Sequence, residues 1–422
     1  MNILILLGVF LVLVMIGLPI AYCTGLAAAA SLIFAGTPLT AAAQRVFAAA
    51  DSFTYLAIPF FMLSGKLMEH GGISRRMIKL AEVLVGYVAG GLGVVSTIAC
   101  MFFGAVCGSS TGTVAAIGSI MMPSMEENKY DRGFAGAIIS VAGSLGILIP
   151  PSIPMIIYAV SQGVSVADLF TAGIEVGVIS GLALIVYIII KSKKCGYVGT
   201  SHRPTLKEVW VAFKDAILAL LMPVIILGGI YGGFFTPTEA AAVACLYAFF
   251  VGCFVYKQFS IKDLPKILLE SGKNTATVMF IIVTSALFGW QLTILQIPQT
   301  LATGVLSITN SKFLIICIML LFLVFIGMLM EGNAYLIILS PLLAPIASAL
   351  GISLLQFGLI MVVSICVGTI TPPMGLNMFC ICGIYPVKIE EIIKNIIPFV
   401  LIMVGVLFLV AFVPGASMLF IQ

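Results

Sequence analysis

Long apolar runs follow one another along almost the whole chain, separated by short polar or basic segments. None shows the period-two alternation of a membrane barrel, so the pattern predicts helices. Spans are expected at about 2–17, 19–36, 53–68, 168–190, 212–232, 238–256 and 274–296, with a final span ending near 414. Four other apolar stretches are interrupted. Residues 87–123 break at GAVCGSSTG and 312–347 break at MLMEGN. Residues 134–160 contain GILIPPSIP and 354–383 contain GTITPPMGL, so each reads as a helix broken by a proline pair.

Composition agrees with a bilayer setting. The 422 residues are 62% hydrophobic and 9% charged, with a mean hydropathy of +1.25, whereas soluble domains carry about 25% charged residues. The N-terminal run lacks a basic start and a small-residue cleavage site, so it is expected to remain as the first span. The ten cysteines form no C-x-x-C pair and read as small buried hydrophobes. The two histidines, His70 and His202, sit beside charged loop residues and define no metal site.

Shifting the sequence by 222 residues superposes the two breaks: Gly146 on Gly368, Pro150 on Pro372 and Pro151 on Pro373. Without a gap, Pro123 falls on Pro345, Gly136 on Gly358 and Asp168 on Glu390. Such repeated, broken helices point to a transporter site. The basic residues set the topology. Lys66 lies at the end of the third span and Arg75, Arg76 and Lys79 just beyond it, Lys129 and Arg132 follow the first interrupted stretch, and Lys191, Lys193, Lys194, Arg203 and Lys207 form the central loop. Placing these on the cytoplasmic side makes 87–123 and 312–347 re-entrant hairpins that enter from opposite faces. All lysines and arginines except Arg45 and Lys312 then face the cytoplasm, the two halves are inverted, and both termini are periplasmic.

Each half contributes a hairpin tip and a break. Irregular backbone at membrane depth is tolerated inside protein or along a water-filled cavity. Pro-Pro should free carbonyls near 146–149 and 368–371, which suit a small hard cation. The first tip, Gly108 to Thr113, offers hydroxyl ligands and the N-terminus of a return helix, which favours an anion. The same small residues match G-x-x-x-G and would also serve helix packing. The second tip carries Glu331 and Asn333. Glu331 could ligate a cation, carry a proton or bind substrate hydroxyls, or be a structural acid at a shallow tip. Ser152 adds a polar group at the first break, and Thr369, Thr371 and Asn377 do so at the second. Residues 72–85 read as an amphipathic surface helix, with 297–310 in the matching place.

The halves, the GSSTGT tip and the paired GxxxPP breaks resemble the large membrane subunit of the tripartite ATP-independent periplasmic (TRAP) transporters, over essentially the whole chain. The resemblance implies an all-α polytopic membrane protein with an inverted repeat, two re-entrant hairpins and two broken helices, working as a sodium-driven elevator. It implies scaffold helices and a surface arm in 1–86, a transport domain in 87–167 and 312–391, further scaffold and a second arm in 168–311, and a closing helix in 392–422. Na+ would sit at Ser109, Ser110, Thr111, Gly146, Ile149 and Pro151, and at Glu331, Gly332, Asn333, Gly368, Thr371 and Met374. Substrate would lie near Ser110, Ser152, Glu331 and Asn377. The family often carries Asp where this chain has Glu331.

Implied partners are a small four-helix membrane subunit, expected as a separate chain, and a periplasmic substrate-binding protein. The implied cargo is an organic anion crossing the bacterial inner membrane, with sialic acid favoured over C4-dicarboxylates. Rival readings are a binding-protein-independent sodium–carboxylate symporter, a passive channel and a polytopic membrane enzyme. The enzyme would need intramembrane His, Asp or Cys clusters that the sequence does not show.

Overall fold

The computed structural model describes residues 2–199, 203–309 and 311–419. Residues 200–202 of the basic central loop, His202 among them, lie outside the described residues, as does residue 310 at the end of the second amphipathic stretch. The described residues form helices and connections without a strand. In chain order the α-helices are α1 (Asn2–Met15), α2 (Ile20–Phe34), α3 (Leu39–Ala50), α4 (Ala57–His70), α5 (Ile73–Val85), α6 (Gly91–Cys107), α7 (Ser110–Glu127), α8 (Arg132–Ser144), α9 (Ile153–Gln162) and α10 (Val166–Cys195). The second half has α11 (Leu206–Tyr231), α12 (Pro237–Phe250), α13 (Leu264–Ile294), α14 (Ile297–Ile308), α15 (Lys312–Gly327), α16 (Gly332–Ala349), α17 (Leu354–Thr369), α18 (Leu376–Ile384) and α19 (Ile389–Phe412).

Both interrupted hairpins and both breaks fall where the punctuation predicts them. α6 and α7 meet at Gly108, whose φ of +62° suits glycine, and α15 and α16 meet at residues 328–331. The first broken helix runs α8, a 3-10 turn Leu145–Ile147 and α9; the second runs α17 and α18. The Pro150–Pro151 and Pro372–Pro373 bonds are both cis. α7 and α16 start at 110 and 332 and end at 127 and 349, in the 222-residue register.

The halves interlock. α2 packs on α13 and α12 on α4; α9 packs on α16 and α18 on α7; α10 packs on α17 and α19 on α8. Each pair is the repeat-related image of the other. Cys366 Sγ donates to Ser144 O at 3.3 Å, so two repeat-equivalent residues touch each other. Such contacts occur where a two-fold relation has its axis.

Four details depart from the sequence reading. α1 and α2, expected as full spans, have 14 and 15 residues. At about 1.5 Å per residue they fall short of a hydrocarbon layer of about 30 Å. Residues 39–50, read as a connection, form α3, bent by 55° from the helix over Phe53–His70. In the second half the matching stretch is continuous from Ile261 to Ile294. The bend falls at Asp51–Ser52, where Ser52 is extended (φ −103°, ψ 119°) and the helical path stops before resuming at Phe53. α13 begins at Leu264, about ten residues before the span expected at 274–296. Finally, α10, assigned above to the scaffold, packs on α6, α8, α9, α17 and α19. Gly173, Gly177 and Gly181 give it a groove against Met155, Ile149 and Met101.

Among the described residues, six helices are long and apolar enough to cross a membrane, or seven if the bent α3–α4 pair is one span. Their outer faces expose large apolar side chains such as Leu182, Val224, Leu246 and Leu401, which suits lipid.

Tight glycine contacts hold each hairpin on its break. A Cβ on Gly104 would lie 2.6 Å from Gly146 Cα, and one on Gly368 would strike the Gly327 backbone. Gly368→Ala is therefore expected to destabilise the fold by about 1–3 kcal/mol, the usual cost of overpacking. Gly405→Ala, which meets nothing within 4 Å, should be neutral. Thermal unfolding in detergent compares the two; equal stabilities would contradict the contact.

Candidate functional site

At the first tip, Ser109 caps α7: its Oγ accepts from Gly112 N at 3.3 Å and its carbonyl accepts from Thr113 Oγ1 at 2.7 Å. The next residue, Ser110, is buried, and its Oγ donates to Asn377 Oδ1 at 2.8 Å. Asn377 in turn donates through Nδ2 to Ser140 O at 2.8 Å. Asn377 thus ties the first hairpin tip to both broken helices. Thr111 is exposed.

The first break lies directly against this tip. A Cβ on Gly146 would come within 2.8 Å of Ser109 O, and one on Gly108 within 2.6 Å of Pro151 O. Proline removes the helical donors for Gly146 O and Ile147 O. Ser152 Oγ takes up Ile147 O at 2.5 Å while capping α9 by accepting from Met155 N. The Ile149 side chain turns toward Gly177 of α10.

At the second tip, Glu331 caps α16. Its Oε2 accepts from Asn333 N and Ala334 N at 3.0 and 3.1 Å, and its Oε1 accepts from Asn333 Nδ2 at 2.8 Å. Asn333 Oδ1 is buried without a partner. The second break meets this tip through Gly368 against Gly327 and through Met374 N donating to Met328 O at 3.3 Å. Of the carbonyls expected to be free here, Gly368 O accepts from Thr371 N and Thr371 O from Gly375 N. A carbonyl oxygen has two lone pairs, so each keeps one acceptor site.

Both tips line one cavity of about 370 Å³. Its wall includes the first turns of α7 (Ser110, Thr111), α9 (Ile153, Pro154) and α16 (Gly332, Asn333), together with Leu376 at the start of α18. Four helix N-termini therefore converge on one space. Their unpaired N–H groups and dipoles favour negative charge. Ser109 and Glu331 already cap two of them, and Ser152 caps the third, whereas α18 has no side-chain cap.

Among the residues singled out from sequence, Ser109, Ser110, Thr111, Glu331, Gly332, Asn333 and Thr369 line the cavity. Ser152 and Asn377 are fully buried behind its wall, in the bonds described above. Met62 of α4 and Asn274, Thr277 and Val278 of α13 also line it. No sequence signal marked them, because they sit in otherwise ordinary spans.

The chain matches the family of the "Tripartite ATP-independent periplasmic transporter, DctM component" over residues 7–416. It is 40% identical over 99% of its length to the "Isethionate TRAP transporter permease protein DctMQ" of Oleidesulfovibrio alaskensis, and spans 66% of that longer protein. It is 42% identical to the "C4-dicarboxylate TRAP transporter large permease protein DctM" of Pseudomonas aeruginosa, over 92% of this chain and 90% of the relative. The "Sialic acid TRAP transporter large permease protein SiaM" of Vibrio cholerae is 36% identical, over 96% and 94%. Among solved structures, the YdaH transporter of Alcanivorax borkumensis shares the fold with a TM-score of 0.62 at 16% identity, over 89% of this chain and 88% of that one. A full-length family match, relatives named as permeases and paired hairpins facing paired breaks lead to one conclusion: the chain belongs to the DctM family of TRAP transporter large permeases.

Proposed function

We propose that the protein is the sodium-coupled permease subunit of a tripartite importer of small organic anions in the bacterial inner membrane. One observation carries this reading: a single cavity takes in both hairpin tips and the starts of four helices. An anion there is held by N–H groups and hydroxyls without a paired cation in the wall. C4-dicarboxylates and isethionate, named for the relatives at 42% and 40% identity, are the leading cargo, ahead of the sialic acid class favoured from sequence.

The donor set fits sodium, since both tip-and-break pairs present neutral or anionic oxygens, and Asn333 Oδ1 is a buried acceptor in need of a positive partner. One ion would be held by Ser109, Ser110, Thr111, Gly146, Ile149 and Pro151. The other would be held by Glu331, Gly332, Asn333, Gly368, Thr371 and Met374. Bound sodium supplies charge that fixes each tip on its break.

The cavity lies between α4 and α13 on one side and the tips on the other. That boundary suits an elevator in which hairpins and broken helices, with α10 and α19, slide against α1–α4, α11–α13 and the arms α5 and α14. A small four-helix membrane subunit would widen the scaffold, and a periplasmic binding protein would deliver the anion. Both termini are placed on the periplasmic face by the basic-residue bias.

Reconstitution with the neighbouring-gene membrane subunit and binding protein tests the reading, using succinate, isethionate and N-acetylneuraminate with and without a sodium gradient. Uptake by this chain alone would favour the binding-protein-independent symporter. Ser110→Ala is expected to raise the sodium concentration for half-maximal uptake several-fold; an unchanged sodium response would remove Ser110 from the ion site. Glu331→Gln removes the acceptor charge at the second tip and should cut uptake tenfold or more. Wild-type uptake by this variant across pH would reduce Glu331 to a structural cap.

A further inference from the structure

The central cavity does not end at the tips. A second cavity of about 290 Å³ shares Met62, Ser109, Thr111, Ile153 and Asn274 with it. A third, of about 180 Å³, shares Glu69 and Ala115 with the second. A fourth, of about 240 Å³, shares Gly72 and Arg75 with the third and reaches Arg76, Lys79 and Asp215. The series follows α4 and α5 from the start of α7 to the basic surface.

Charge along this series is graded. Among the described residues, Glu331 is the one charged group lining the first cavity. The second holds Lys66 and Glu69, the third Glu69 and Arg75, and the fourth Arg75, Arg76, Lys79 and Asp215. Lys66 Nζ pairs with Glu69 at 2.7 Å, and both side chains remain about three-tenths exposed. Arg76 is held by Asp215 at 3.3 Å, by Gly72 O and by the Tyr256 ring. Among the described residues no ion pair holds Arg75 or Lys79, and both are exposed. The cationic groups thus outnumber the acidic ones beyond the first cavity, and of the outermost three Arg76 is paired while Arg75 and Lys79 are outside any ion pair among the described residues.

We propose that this series is the release route for the anionic cargo, with Lys66 as its first cationic station. This rests on the organic-anion reading above. An anion leaving the helix starts meets Lys66, which exchanges Glu69 for the substrate carboxylate or sulfonate. Arg75 and then Lys79 draw it outward. Glu69 retakes Lys66 afterwards, so the ammonium is never left without a counter-charge in a half-buried wall. The scaffold helix α4 thereby acts on charge selection, a role distinct from that of the two tips. Lys66 is a positioning residue of the route.

The test reads the route without relying on transport. Ala115, which lines both the second and third cavities, is replaced by Cys, with Cys107→Ser and Cys380→Ser to remove the native thiols of the second cavity. The full chain in inside-out vesicles is labelled with 2-sulfonatoethyl methanethiosulfonate and with its trimethylammonium counterpart. Lys66→Gln and Arg75→Gln should each lower the anionic-to-cationic rate ratio by roughly three- to tenfold. Glu69→Gln should raise it, and Lys66→Arg should retain it, which separates charge from misfolding. A ratio unmoved by both neutralisations, or labelling confined to right-side-out vesicles, overturns the proposal. A charge-dependent ratio with no uptake of succinate, isethionate or N-acetylneuraminate would uphold the route and refute the cargo class instead.

Discussion

Backbone polar groups cannot be left bare in hydrocarbon, and this constraint governs the molecule. Two helices are broken at proline pairs, and each break is tolerated because a hairpin tip covers it. The cover is close enough that glycine is required at Gly104 and Gly146 on one side and at Gly368 on the other. The polar groups that remain find partners: Ser152 for Ile147 O, Glu331 for the first N–H groups of α16, and, across the two halves, Asn377 for Ser140 O. What the breaks leave over faces a cavity instead of lipid.

The repeat makes this solution twice and then crosses it. Helices of one half pack on the repeat-related partners of the other, and Ser144 meets its equivalent Cys366. Neither half could bury its breaks alone, since α9 needs α16 and α18 needs α7. The halves differ in chemistry where they agree in geometry. One tip offers hydroxyls and the other a carboxylate with an unpaired amide oxygen. The two tips therefore share a backbone plan and differ in charge.

The hairpins and breaks were legible in the chain because their physics is local. Gly-rich tips and Pro-Pro pairs interrupt apolar runs, and the 222-residue register doubles each signal. The cavity residues on those elements, from Ser109 to Asn333, were legible for the same reason. The scaffold wall was not. Met62, Asn274 and Thr277 reach the cavity only because α4 and α13 pack beside the tips. In sequence Lys66 is one basic residue near the end of an expected span, yet in the fold it lies on α4 beside a cavity lined by Ser109 and Thr111.

The sequence by itself determined a helical membrane protein, its repeat, its two hairpins, its two breaks and the residues at their tips. Those follow from hydropathy, proline's missing donor and glycine's free backbone, which act within a few residues. Tertiary structure decided the bend between α3 and α4, which helices α10 packs on, and that Ser152 and Asn377 lie behind the wall. It also decided which scaffold side chains complete the cavity and how the charges beyond it line up. Most of these depend on contacts between segments distant in the chain, which no local pattern encodes.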